Sequence, residues 1–178
     1  AVLLSHGLGD WNVMPEHSIR IFEGLKANGA TASLYLHRGG HGGPPPLSTM
    51  NRWFAHYLYG VDNGVEKDPR AWIVREGAKH DDATACVDYP NPEAAPVTLH
   101  LEKGGERIGK LTSADRASQG KESLVDDVSI DGATLAQAAD SEHRLLYATD
   151  VLSTPLHVSG SARISIKLSC DRPAANLS

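Results

Sequence analysis

The chain has 178 residues, 40% of them hydrophobic and 22% charged, with a formal net charge of −5 and a pI near 6.0. That length permits one ordinary domain or two small or partial ones, and the composition supports a packed core rather than disorder throughout. The acidic balance excludes the basic face that a nucleic-acid backbone requires, and no apolar run approaches the ~20 residues needed to cross a bilayer.

The opening residues Ala1-Val2-Leu3-Leu4 are continuously apolar, the pattern of a strand buried on both faces, and they run into the glycine-containing loop Ser5-His6-Gly7-Leu8-Gly9-Asp10. There is no initiator Met, so any leader is expected upstream and the compartment stays unassigned. Pro15 and Glu16 suit the first turn of a helix whose apolar stripe is Ile19, Ile21, Phe22 and Leu25, with Asn28-Gly29 as its stop. Alternation from Thr31 to Leu36 predicts a second strand. Short connections make this a βαβ unit, with parallel strands and a right-handed crossover.

A glycine- and proline-rich stretch, Gly39 to Pro46, leads to a second helix capped by Ser48 or Thr49, with Met50, Trp53, Phe54, Tyr57 and Leu58 at helical spacing and Gly60 at its end. The turn-forming segment from Val61 to Pro69 suggests a domain boundary, placed so that residues 1–62 and 63–178 are separate domains. Beyond it, Ala71–Val74, Val97–Leu101, Arg144–Ala148, Leu156–Val158 and Ala162–Leu168 are short β-prone runs, with one weak helical pattern near Ala133–Ala139. Turns at Lys103–Glu106 and Asp131-Gly132 punctuate them, as in an antiparallel sandwich.

Asp10 follows the first predicted strand and His41 the second, so parallel strands deliver both to one rim, where α/β folds build their sites. A carboxylate followed about thirty residues later by a histidine fits the Ser, Asp, His chain order of α/β-hydrolases. A serine hydroxyl is a poor nucleophile until an imidazole removes its proton, and an anionic carboxylate fixes the tautomer and steadies the imidazolium. Gly39, Gly40, Gly42 and Gly43 let the loop turn sharply and expose the histidine ring. No G-x-S-x-G nucleophile elbow occurs in the chain, so the serine and the oxyanion-hole donors are expected before residue 1, and the isolated segment is expected to be inactive.

These residues resemble a known family. His6-Gly7-Leu8-Gly9-Asp10-Trp11-Asn12-Val13 resembles the acid loop of bacterial X-prolyl dipeptidyl-peptidases, within a broader group of cocaine-esterase-like acyl hydrolases. Leu36-His37-Arg38-Gly39-Gly40-His41 resembles that family's histidine loop, and Asn51 to Gly64 the helix and exit that follow. Residues 145–149 and 156–162 are similar to part of the family's jelly roll. The resemblance implies the C-terminal part of an α/β-hydrolase domain followed by part of a jelly-roll, galactose-binding-like β-sandwich. It implies Asp10 as triad acid, His41 as general base, and release of dipeptides with proline second from peptide N-termini, through an acyl-enzyme and without a cofactor.

Several plainer readings compete. Asp10 also suits the cap of the helix near Pro15, although the spacing to His41 favours the acid role. His37 and His41 share the i, i+4 separation of helical metal ligands, but Gly39-Gly40 argue against a helix there, and no metal is assigned. His6 is expected to close the strand through backbone contacts, and His17 to face solvent. Trp11 and Asn12, flanking the acid, are candidate substrate-binding residues, and Trp53, Phe54 and Tyr57 are read as scaffold. Cys86 and Cys170 lie outside any C-x-x-C pair and are expected to be buried thiols.

A related ester or amide hydrolase is one alternative function, and a carbohydrate-binding jelly-roll fragment is another. For the latter, Trp72 and Tyr89 are the only aromatics between residues 70 and 140, a thin platform for sugar stacking. A sheet left open on one side invites association, so homo-oligomers join peptides among the expected partners; nucleic acid and membrane do not.

Overall fold

The computed structural model describes residues 1–79, 82–115 and 120–173. It is a mixed α/β structure with two small sheets, and it divides into two compact units, Ala1–Ala94 with the segment from Ser159 onward, and Ala95–Val158.

The first unit is built on β1 (Val2–Gly7), α1 (Pro15–Ala27) and β2 (Ala32–His37). β1 and β2 pair in parallel, Val2 opposite Ala32 through Gly7 opposite His37, so both strands end at the same edge. All six residues of β2 are buried. Its Ala32, Leu34 and Leu36 meet Ile19 and Phe22 of α1, with Ala71 and Tyr89 completing the core. Burying a side chain such as Phe22, which is 0% exposed, stabilises by about 1.5–3 kcal/mol. Pro15 opens α1 at a position where its missing N–H costs nothing, and Met14 is the N-cap, without a side-chain cap.

Helix α2 (Leu47–Tyr59) starts at Pro46, so Ser48 and Thr49 lie within its first turn rather than capping it. Gly60 ends it in the left-handed conformation at φ 69°, which a side chain would strain. Trp53 is buried, with its ring centroid 4.5 Å from that of Tyr57, whereas Phe54 is exposed. The scaffold reading therefore holds for one edge of the stripe only, because the helix carries a wider apolar arc than it buries. A 3₁₀ turn, Val65–Lys67, leads to β3 (Ala71–Ile73), which pairs in parallel with β2, and β4 (Thr84–Cys86) adds antiparallel to β3. The first unit thus continues past residue 62.

The second unit holds β5 (His100–Glu102), β6 (Ile108–Thr112), α3 (Gly132–Gln137) and β7 (Leu146–Ala148) in a three-stranded sheet ordered β5-β6-β7. β5 and β6 are antiparallel about the turn at Gly104-Gly105. β7 is parallel to β6, against the antiparallel expectation, because the long connection through α3 brings the chain back in the same direction. Asp131 does not form a turn but caps α3, its carboxylate accepting from the Thr134 N–H at 2.9 Å. Buried Arg144 closes the other end, donating to the carbonyls of Leu135 and Ala138 at 2.7 and 2.6 Å.

Leu156–Val158 and Ala162–Leu168, expected as strands, form no ladder and are exposed. Their β-propensity meets no partner strand among the described residues, and cross-strand pairing is what stabilises a sheet. Cys86 and Cys170 are not joined by a disulfide. Cys86 is half-buried, and Cys170 is exposed rather than buried, its thiol donating to the Arg172 carbonyl. No helix among the described residues is long and apolar enough to cross a membrane.

Candidate active site

At the shared carboxyl edge of β1 and β2, two loops lie against each other. The Leu8 N–H donates to the His37 carbonyl at 2.7 Å, and the Gly9 N–H to the Gly39 carbonyl at 3.0 Å. Gly7 makes this approach feasible: a β-carbon there would collide with the carbonyl oxygens of Gly39 and Gly40. The Ser5 hydroxyl adds a bond to the Gly43 carbonyl at 3.1 Å.

The structure brings Asp10 and His41 together, with His41 Nδ1 3.1 Å from Asp10 Oδ2. The Asp10 side chain is 4% exposed and that of His41 61%, so the pair runs from the protein interior to solvent. Asp10 Oδ1 accepts from the backbone N–H groups of Asn12 at 2.9 Å and Val13 at 3.1 Å. Asp10 thus folds its own loop into an Asx-type turn and does not cap α1, the plainer role open to it in the sequence. Burial pushes its carboxyl pKa up, but the Val13 and Asn12 N–H groups, with the hydrogen bond and charge of His41, outweigh this. The carboxyl is held below its ordinary 3.8 and stays anionic at neutral pH.

With Nδ1 turned to the carboxylate, the His41 ring directs Nε2 away from it. A carboxylate that holds one imidazole nitrogen and leaves the other for a reacting group is the arrangement of general acid–base catalysis.

His37 and His41 diverge. His37 is 1% exposed and lies beneath the glycine loop, where its Nδ1 accepts from the Gly39 N–H at 3.0 Å. A β-carbon on Gly39 or on Gly43, whose φ is 101°, would press on the His37 ring. His37 therefore underpins the loop that presents His41. Among the described residues no group of three or more His, Cys, Asp or Glu side chains is placed to hold a metal.

Trp11 is 86% exposed and Asn12 is exposed, both on the rim beside Asp10. The contact that Asn12 makes is through its backbone N–H. Tyr89 is buried, its hydroxyl donating to the Gly160 carbonyl at 3.4 Å, and offers no face to a sugar.

The sequence reading missed Ser18 and part of what His6 contacts. His6 Nε2 lies 2.9 Å from the Val13 carbonyl and 3.3 Å from Asp10 Oδ2, and its Nδ1 lies 2.7 Å from the Ser18 hydroxyl. The expected backbone contact of His6 exists, but its ring also reaches the acid. The only hint in the sequence was a histidine four residues before the aspartate.

A cleft of about 430 Å³ in the first unit lies elsewhere. It is lined by Gly29, Thr31 and Ser33 together with Trp53 and Trp72, toward the opposite end of the strands. Open α/β sheets bind substrates at the carboxyl ends of their strands, so the Asp10–His41 rim is the stronger site.

Comparison with known proteins gives the following. The family model for the X-Pro dipeptidyl-peptidase C-terminal non-catalytic domain matches residues 63–178, and that for X-Pro dipeptidyl-peptidase (S15 family) matches residues 1–43. Relatives that carry the name "Putative Xaa-Pro dipeptidyl-peptidase" include two from different organisms. One, from Rhodopirellula baltica, is 54% identical over 178 residues, covering 100% of this chain and 28% of the relative. The other, from Bacillus anthracis, is 31% identical over 182 residues, covering 99% of this chain and 30% of the relative. The Xaa-Pro dipeptidyl-peptidase of Lacticaseibacillus rhamnosus is 27% identical over 189 residues, covering 99% of this chain and 23% of its own length. The chain thus spans less than a third of each of these relatives.

Proposed function

The chain belongs to the X-Pro dipeptidyl-peptidase family, and we propose that it contributes the acid, Asp10, and the general base, His41, of a serine-type hydrolase that releases Xaa-Pro dipeptides from peptide N-termini. The observation that carries this reading is the 3.1 Å contact between His41 Nδ1 and a carboxylate already fixed by two backbone N–H groups. The nucleophilic serine belongs to a preceding part of a longer protein, in keeping with relatives more than three times the length of this chain.

The chemistry follows from the geometry. His41 Nε2 takes the proton of the serine hydroxyl as its oxygen attacks the carbonyl after proline, and the positive charge on the ring is balanced by Asp10. The tetrahedral intermediate collapses as His41 returns the proton to the leaving amine. Water then repeats the sequence on the acyl-enzyme, releasing the dipeptide and restoring the serine. Asp10 keeps its charge throughout, which its depressed pKa favours.

In fold terms the proposal is that residues 1–62 close an α/β-hydrolase domain and residues 63–178 form part of a jelly-roll sandwich. Support comes from the parallel β1-α1-β2 unit with its site at the carboxyl ends, and from the start of the non-catalytic-domain match at residue 63. Trp11 and Asn12 border the substrate cleft in this reading.

The test uses the full-length enzyme and a chromogenic Xaa-Pro anilide. Asp10→Asn is expected to lower kcat by about 10⁴-fold with folding intact. Undiminished turnover, or turnover of simple acyl esters with none of Xaa-Pro substrates, would overturn the assignment.

A further inference from the structure

The carboxylate of Asp10 is contacted on both of its oxygens. Oδ1 takes the N–H groups of Asn12 and Val13, while Oδ2 faces two imidazoles, His41 Nδ1 at 3.1 Å and His6 Nε2 at 3.3 Å. Three hydrogen bonds hold the carboxylate, and the His6 ring adds a fourth contact. One of those imidazoles, His41, belongs to the proposed acid–base pair. The other is nearly buried, its side chain 9% exposed, and the mechanism above makes no use of it.

The partners of His6 fix its tautomer. The Val13 carbonyl, 2.9 Å from Nε2, can only accept, so Nε2 carries the proton and donates it to that carbonyl, with Asp10 Oδ2 lying 3.3 Å from the same nitrogen. Nδ1 is then the acceptor, and the Ser18 hydroxyl at 2.7 Å donates to it. The reverse tautomer would set the Nε2 lone pair against a carbonyl and a carboxylate at once. Ser18 lies in the first turn of α1, so the chain Ser18, His6, Val13 and Asp10 ties helix, strand end and acid loop together across the neck of the loop.

We infer that His6, held in one tautomer by Ser18, is a positioning residue for Asp10: it fixes the rotamer and direction of the carboxylate so that Oδ2 is presented to His41. The inference rests on the proposed acid–base pair and extends it to His6, which touches the acid and its loop, and to Ser18, which holds His6. His6 touches no reacting atom. Its effect is on the alignment of Asp10, and misplacing a catalytic group by about 1 Å costs up to about 10²-fold in rate.

The test compares His6→Leu, His6→Gln and Ser18→Ala in the full-length enzyme, with Asp10→Asn and His41→Ala measured alongside. His6→Leu is expected to lower kcat by about 10- to 100-fold with KM changed by less than about threefold, since substrate binding is untouched. His6→Gln places an amide N–H near the former Nε2 and is expected to recover most of that loss. Ser18→Ala, a small truncation at a half-buried position in the first turn of α1, is expected to lower kcat by a few fold without changing the melting temperature.

Native kcat in both His6→Leu and Ser18→Ala, a loss expressed in KM alone, or a His6→Gln variant no better than His6→Leu overturns the inference. Should His6→Leu fail to fold, the kcat of Ser18→Ala and of His6→Gln decides. If Asp10→Asn and His41→Ala themselves retain turnover, the acid–base pair is the reading that fails. If they are inactive while the His6 and Ser18 variants match the native enzyme, only the positioning role fails.

Discussion

Each of the two units holds a carboxylate in a cradle of donors, and the two cradles differ in one partner. Asp10 accepts from the N–H groups of Asn12 and Val13, and Glu122 in the second unit accepts from those of Gly104 and Gly105 at 2.9 and 2.7 Å. For both, burial alone would raise the carboxyl pKa, and the hydrogen bonds outweigh it, holding it below the ordinary value. The remaining partner of Glu122 is the Tyr147 phenol at 2.6 Å, where that of Asp10 is an imidazole. Burial, then the hydrogen bond and charge of Glu122, push the Tyr147 pKa up to about 12, so this partner keeps its proton at every physiological pH. An imidazole can take up and release a proton in the course of a reaction, and the His41 side chain is 61% exposed. The same cradle serves as a staple in one unit and, in the proposed function, as the base of a proton-transfer pair in the other.

The comparison breaks first at the rim. Gly7→Ala is expected to have the largest effect after removal of the pair itself, because its β-carbon would collide with the backbone of Gly39 and Gly40 and force the two loops apart. Turnover of the full-length enzyme should fall by at least about 10²-fold with the far-ultraviolet spectrum unchanged. Native activity would mean that the loops need not touch.

The second cradle sharpens the contrast. Tyr147→Phe or Glu122→Gln is expected to destabilise by about 1–2 kcal/mol in denaturant titration while leaving kcat within about twofold of native. Tyr147 also predicts an alkaline signature. A phenol whose folded pKa exceeds its ordinary 10.0 contributes stability that is complete below pH 10 and fades as the pH rises toward about 12. The stability difference between native protein and Tyr147→Phe should shrink over that window, and a constant difference would refute the Glu122–Tyr147 coupling. Asp10 has the opposite sign: its lowered pKa gives stability that is present above 3.8 and lost as the pH falls through the folded value.

The smallest effect is expected at Trp11. At 86% exposed it contributes little packing, so Trp11→Ala should change stability by less than about 0.5 kcal/mol. If Trp11 borders the substrate cleft as proposed, any loss of activity should fall on KM, and a fall in kcat alone would assign it elsewhere.

Much of the first unit could be read from residue order. The apolar opening run, Pro15 at the start of a helix, Asn28-Gly29 at its stop and the alternation before His37 are local signals, and each acts within a few residues of where it lies. They were enough to place Asp10 and His41 at one edge. Contacts that depend on tertiary approach were not legible. The reach of His6 to Ser18 spans a strand end and a helix turn, and the burial of His37 beneath Gly39 and Gly43 is set by a loop folding back over it. The second unit was harder for a related reason. Runs such as Leu156–Val158 have β-prone residues, but a ladder needs a partner whose position no local pattern specifies. The parallel β6–β7 pairing likewise depends on the path of a long connection.

The central claim, that Asp10 and His41 work as one unit, is tested most directly by a double-mutant cycle on turnover in the full-length enzyme. Asp10→Asn and His41→Ala should each remove most of the rate, and the double variant should be about as impaired as His41→Ala alone, since residues of one catalytic unit are grossly non-additive. Losses that multiply in the double variant would mean that the two side chains, 3.1 Å apart, act independently.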